Sequence, residues 1–302
     1  MIRRNLEKLV LIIGLLVIPV AVMSQSRTGE IKILPRIDDK APKDSLEAVF
    51  EERPYFLLID QSEKALEQGD YESAALRLVE AMSVEPENEL NVALLSNLGM
   101  IYFYNEQDSL ALEVLERAIE RSPRLIAPRE GRARVLVSNG RDGEAYREYG
   151  NILEIDSLHT DALFVHGMMS LYSSKLDEAK HDIALLKKLK PQSKESLLAE
   201  ATMMSMTGFE VEAVSLFKRL IEKEPAPEYY SQLVACELAL DNLADAAEFI
   251  AEWGSKYPND AEMYYYRALL NKKRYLLDEA HRDARQAIKL GADREKVSAI
   301  FN

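Results

Sequence analysis

A single cysteine, Cys236, stands in the 302 residues, so no intramolecular disulfide can form and the residue reads as a small apolar side chain on a helix. Signatures of chemistry are missing as well. There is no glycine-rich phosphate loop, no H-E-x-x-H, no G-x-S-x-G and no cysteine pair for a metal. The four histidines, His159, His166, His181 and His281, never pair at i, i+4, which leaves them as solvated or capping residues. Glu113, Glu116 and Glu120, or Glu222 and Glu224 beside Lys218, Arg219 and Lys223, suit solvated helix faces with local ion pairs. A non-catalytic chain without cofactor or metal is the expectation. Basic clusters are absent too: the net charge is −13, and so acidic a surface repels phosphate backbones, which argues against nucleic acid. No apolar run reaches the ~20 residues that span a bilayer.

The longest such run, Leu9 to Met23, follows Arg3, Arg4 and Lys8 and ends in Val22-Met23-Ser24. That layout predicts a secretory signal peptide over residues 1–24, cleaved after Ser24, and hence an exported, periplasmic protein. The alternative is an uncleaved segment that anchors the protein in the inner membrane, the one case in which a membrane is a partner. Removing those 24 residues takes away three basic and one acidic side chain, so −13 becomes −15. Residues 25–54 form a leader: Gly29, Pro35 and Pro42 among charges, then Asp44-Ser-Leu-Glu47, a helix-start pattern for a short helix ending before Pro54.

What the chain does have is a ladder. Pro86, Pro123, Ser157, Pro191, Pro225 and Pro258 stand 37, 34, 34, 34 and 33 residues apart, and a further 34 reaches Ala292. A fixed period near 34 with proline closing each unit marks an all-α helical repeat array, because proline cannot continue a helix and pushes its predecessor out of the α region. The units are 55–91, 92–125, 126–159, 160–193, 194–226, 227–260 and 261–294. In the second, Leu95, Leu98, Gly99 and Tyr102 are helically spaced, a turn follows at Asn105 to Asp108, and Ala111, Leu115 and Ala118 continue the stripe. The eighth place is always small: Ser62, Gly99, Ala133, Gly167, Ala201, Ala235 and Ala268. An alanine recurs on the second helix as Ala74, Ala111, Ala145, Ala179, Ala213, Ala246 and Ala280. Larger groups there would push the paired helices apart. Residues 295–302 complete the chain as a capping segment, in which Val297, Ile300 and Phe301 cover the last exposed face.

These features resemble the tetratricopeptide repeat over residues 55–294. The resemblance implies a right-handed superhelical solenoid of about seven helix-turn-helix repeats that binds a protein or peptide along a concave groove of first helices. Carrying over the family's inward places gives Met100, Phe103 and Tyr104 in the second unit and Glu130 and Arg134 in the third. The fourth supplies Phe164, Met168, Leu171 and Tyr172, the fifth Leu198, Thr202 and Met206, and the seventh Tyr265 and Leu269. The lysine, asparagine and arginine with which some members grip a C-terminal carboxylate are replaced by Ile59 and Glu63, Ser96 and Met100, or Phe164 and Met168. A hydrophobic or extended segment is therefore the expected ligand, in an envelope scaffold of protein–protein interaction. A second reading is a glycan- or small-molecule-binding accessory of an uptake system, since Trp253 and fourteen tyrosines offer faces on which sugars stack. A third has the leader, residues 25–44, folding back into the groove.

Overall fold

The computed structural model describes residues 53–301. The signal segment and residues 25–52 of the leader, with its short helix, lie outside the described residues. Those described are helical, in seven antiparallel pairs: α1 (Pro54–Glu67) with α2 (Tyr71–Val84), α3 (Asn91–Tyr104) with α4 (Asp108–Arg121), α5 (Ile126–Ser138) with α6 (Asp142–Ile155), α7 (Thr160–Tyr172) with α8 (Leu176–Leu189), α9 (Lys194–Met206) with α10 (Glu210–Lys223), α11 (Pro227–Ala239) with α12 (Leu243–Lys256), and α13 (Ala261–Lys273) with α14 (Leu277–Lys289). A short α15 (Arg294–Ser298) and one 3-10 turn, Ala299–Phe301, follow. These residues fall into two compact units, 53–162 and 163–301, the division lying within α7.

The proline ladder sits where the chemistry requires. Pro86, Pro123, Pro191, Pro225 and Pro258 each stand two residues past the end of a second helix. Their predecessors Glu85, Ser122, Lys190, Glu224 and Tyr257 have left the α region, with φ from −129° to −154°. Asp156, before Ser157, adopts the same conformation (φ −137°, ψ 97°), so the turn survives without proline. The last repeat ends differently: Gly291 takes φ +106° after α14. The extra residues of the first repeat are pinned by Asn91, which is buried. Its Nδ2 donates to the carbonyls of Glu85 (2.7 Å) and Pro86 (3.1 Å), and its Oδ1 accepts from the Tyr55 hydroxyl at 2.9 Å.

All fourteen small residues of the repeat pattern are buried. Their tolerance is narrow. A Cβ on Gly99 would stand 2.4 Å from Leu115 Cγ, and one on Gly167 would meet Asp182 Cβ at 3.2 Å and Ile183 Cγ1 at 3.3 Å. Ser62 fits because its hydroxyl donates to the carbonyl of Ala74 across the pair, at 2.9 Å.

A second ladder appears in the turns inside each repeat. Gly69, Glu106, Gly140, Ser174, Gly208, Asp241 and Tyr275 all have φ between +59° and +86°. One left-handed residue ends each first helix and starts the reversal into the second. At the C-terminus, Val297 and Ile300 are buried against Ala268, Ala284 and Ala287, while Phe301 stacks on His281 at 4.1 Å.

Candidate functional site

The first helices carry the expected binding residues, and the structure divides them by exposure. In the unit 53–162, Phe103 and Tyr104 are buried, in a cluster with Ala111, Leu115 and Val135. Tyr104 also stacks on Tyr71, with ring centroids 6.2 Å apart. These two are thus packing residues more than contact surface: they close α3, where the inward stripe merges with the core stripe. Beside them the accessible part begins. Met100 is half-buried and Arg134 is exposed. Arg134 Nη1 reaches the Tyr104 hydroxyl at 3.4 Å, a weak bond that leaves most of the guanidinium to solvent. Glu130, one turn before Arg134 on α5, has His159 Nε2 at 3.5 Å. Burial raises the Glu130 pKa above its ordinary value, with Asp161 adding to the rise and His159 and Arg134 opposing it. Tyr149 of α6 belongs to the same group; burial lifts its hydroxyl to about 12. The structure thus brings Met100, Glu130 and Arg134 together as one apolar and charged surface over the buried Tyr104, and adds Tyr149, His159 and Asp161.

In the unit 163–301, Phe164 and Tyr172 are half-buried on α7, the Tyr172 hydroxyl raised to about 12 by burial. Met168 and Leu171, expected beside them, are buried at 3% exposure each, and so is Thr202 of α9. Thr202 Oγ1 has no hydrogen-bond partner among the described residues. The spacing that selects these three cannot separate an inward stripe from the neighbouring packing stripe, and the structure assigns them to packing. Leu198, Met206, Tyr265 and Leu269 remain half-buried. Tyr265 and Leu269 pack against the capping segment, with Lys296 Nζ 4.6 Å from the Tyr265 ring centre. Tyr266 is buried against Trp253 of the preceding repeat, 6.0 Å between centroids, whereas Tyr264 is half-buried under Arg267.

Trp253 itself is fully buried, and its indole donates to Asp260 at 3.1 Å. No sugar can stack on it. Cys236 is buried, donates to Ser205 Oγ at 3.4 Å, and has its thiol pushed up to about 11 by burial. No group of three or more metal-ligating side chains is placed to hold an ion among the described residues, and no described helix is long and apolar enough to cross a membrane.

Three repeats also carry a polar strap that their residue types alone conceal. At the seventh and twenty-third places, Arg132 pairs with Glu148, His166 with Asp182 (2.6 Å) and Arg267 with Asp283 (2.6 Å). All three carboxylates are buried. Repeat two has Leu98 and Val114 at those places. A buried carboxylate left without such a partner is strongly destabilising. The sequence signal is an acid sixteen residues after a cation or imidazole, legible only once the repeats are aligned. Glu237 is a further buried carboxylate, with Lys218 Nζ at 3.6 Å and Asn242 donating at 2.9 Å.

No family model matches the sequence, and no curated protein matches it. Solved structures do. A tetratricopeptide repeat protein from Parabacteroides merdae is 25% identical, with 82% of this chain and 97% of that one covered and a TM-score of 0.67. PilF of Pseudomonas aeruginosa is 17% identical over 71% of this chain and 97% of its own, with a TM-score of 0.59. PilW, a widely conserved type IV pilus biogenesis factor, is 17% identical over 70% and 97%, with a TM-score of 0.58.

Proposed function

Since the chain is a tetratricopeptide repeat protein, we propose that it is a non-catalytic scaffold that holds a protein or peptide segment on the faces of its first helices. One observation carries this reading: adaptable apolar and aromatic side chains stay accessible there, Met100, Phe164, Tyr172 and Leu198, with Arg134 as an exposed cation on an otherwise acidic chain. Methionine and aromatic residues conform to varied apolar partners, and arginine adds orientation through its fork of donors. The favoured segment is extended, apolar in part, and bears an acidic group opposite Arg134. The glycan reading loses its one tryptophan to the core.

The site of action we infer is the cell envelope, after export directed by residues 1–24. The PilW likeness supports that setting by analogy only, through the pilus biogenesis for which that protein is named. Amino-terminal sequencing of the purified native protein tests it: a start at Gln25 supports export with cleavage, and a start at Met1 contradicts cleavage. For binding, the double variants Met100→Ser/Arg134→Glu and Phe164→Ser/Tyr172→Ser avoid the buried positions. Each is expected to reduce capture of the native partner by crosslinking and mass spectrometry while helical content is unchanged. Capture equal to wild type by both variants overturns the assignment of binding to the first helices.

A further inference from the structure

One place in the repeat is buried six times and open once. The third place, five residues before the small eighth place, is buried at Leu94, Pro128, Ala162, Ser196, Tyr230 and Met263. In α1 that place is Leu57, and it is 49% exposed. The cover elsewhere comes from the last turns of the preceding second helix. Leu94 shares a cluster with Leu78 and Ala81 of α2, and Tyr230 shares one with Phe217, Leu220 and Ile221 of α10. Met263 reaches Gly254 of α12, where an added Cβ would meet its Cε at 3.4 Å. No second helix precedes α1 among the described residues.

The covering turns have a signature in the sequence. Leu78, Ala81, Met82 and Pro86 stand at steps of three, one and four; so do Leu115, Ala118, Ile119 and Pro123, and Phe217, Leu220, Ile221 and Pro225. The same steps join Leu46, Val49, Phe50 and Pro54, directly before Leu57. As a helix, that stretch sets Leu46, Val49 and Phe50 on one face and Glu47 and Glu51 on the other, with Asp44 and Glu47 as its start. Its chain enters at the right edge. Arg53 Nη2 donates to both carboxylate oxygens of Glu85, at 2.6 and 2.7 Å, and the guanidinium lies 5.1 Å from the Phe56 ring centre. Arg53 is thereby fixed between the end of α2 and the first turn of α1, the turn that carries Leu57. Pro54 closes the signature and opens α1 at once, so the link is shorter than those between repeats. Only a short cover is needed. The tenth place, buried at Ile101, Val135 and Leu270, is in α1 the exposed Lys64, paired with Asp60 at 2.7 Å. The nine residues from Asp44 to Glu52 make roughly 13 Å of helix, a little over two turns.

We propose that residues 44–52 form a half-repeat helix that docks on Leu57 and closes the N-terminal end of the array, as each second helix covers the repeat that follows it. Terminal repeats need such closure to stay soluble. The short link holds the segment at an effective concentration in the millimolar range, so it outcompetes a separate partner of similar affinity.

The test is amide hydrogen exchange on α1 in the purified chain of residues 25–302. Leu46→Ser/Val49→Ser/Phe50→Ser speeds exchange of the α1 amides by about tenfold or more and leaves α13 as it is. Ala48→Pro does the same, because proline breaks the helix while the three apolar side chains stay. Deletion of residues 25–43 changes neither. A photoreactive side chain at Leu57 joins to residues 44–52 in the otherwise unaltered chain and loses that link in the triple serine variant. Unchanged exchange in the triple variant overturns the proposal, and so does a link from Leu57 that persists in it. Loss of protection on deleting residues 25–43 alone assigns the cover to the earlier leader and overturns it too. A link from Leu57 to a second copy, with protection that grows with protein concentration, has the same consequence.

Discussion

Gly99→Ala puts the rule of the eighth place to a quantitative test. Leu115 occupies the space that two glycines leave open: a Cβ on Gly99 would lie 2.4 Å from its Cγ and 2.7 Å from its Cδ2, and a Cβ on Gly131 would lie 3.0 Å from the same Cδ2. Carbon atoms in contact prefer about 3.5–4.0 Å. Leu115 must therefore retreat by roughly an ångström, yet it is fully buried and closely surrounded. Overpacking of this kind costs about 1–3 kcal/mol. Against that, alanine favours a helix interior over glycine by about 1 kcal/mol. The expected net effect is a loss of about 0–2 kcal/mol. Gly167→Ala should lose less, because its nearest neighbours stand at 3.2 and 3.3 Å and need give only a few tenths of an ångström. Leu115→Ala alone should cost about 2–5 kcal/mol. The double variant Gly99→Ala/Leu115→Ala should cost less than the two singles together, since the new methyl enters the emptied space. Repeat arrays open between neighbours rather than all at once, so amide hydrogen exchange read on α3 and α4 is the right assay, with urea unfolding beside it. A Gly99→Ala protein more stable than wild type, or a strictly additive double variant, would refute the packing argument.

Three other outcomes follow from the same structure. Glu148→Val should destabilise by about 3 kcal/mol, because it strips the shared carboxylate from Arg129 and Arg132, whereas Arg132→Leu/Glu148→Val, which recreates the Leu98/Val114 pair of repeat two, should recover most of that loss in urea titrations. Tyr275→Gly should raise stability by about 0.5–1 kcal/mol, the left-handed strain relieved less the chain entropy of glycine; a lower melting temperature contradicts the strain. For Glu130, burial raises the folded pKa, so the carboxylate opposes folding: the penalty is absent below the unfolded value of about 4.3 and grows as pH rises through the raised one. Glu130→Gln should melt higher than wild type at pH 8 and equally at pH 4, and a difference independent of pH counts against that assignment.

The fold was legible wherever a position admits only one kind of residue. Prolines mark the helix ends because few residues stop a helix as firmly, and the fourteen small residues mark helix crossings that exclude anything larger. The left-handed turn was not legible, because Glu106, Ser174, Asp241 and Tyr275 replace the glycine that would have announced it. The site was half legible. Met100, Arg134, Phe164 and Tyr172 stay accessible, but Phe103, Tyr104, Met168 and Thr202 lie where the inward and packing stripes adjoin, and a side chain there goes with whichever neighbour approaches. Trp253 shows the same limit: its burial depends on Tyr230 and Tyr266, which stack and tilt against it from neighbouring helices. The polar straps escaped for a related reason, since each carboxylate gains its meaning from a partner sixteen residues earlier on the facing helix.

Site-specific photo-crosslinking in cells tests the central claim, that a protein partner lies along the first helices. A photoreactive side chain is placed at Met100, at Phe164, and at Leu76, an exposed position on the second helix α2. The account predicts one and the same polypeptide joined from Met100 and from Phe164, and none from Leu76. Crosslinks from Leu76 as strong as those from the other two positions, or no crosslinks from Met100 and Phe164 at all, would contradict it.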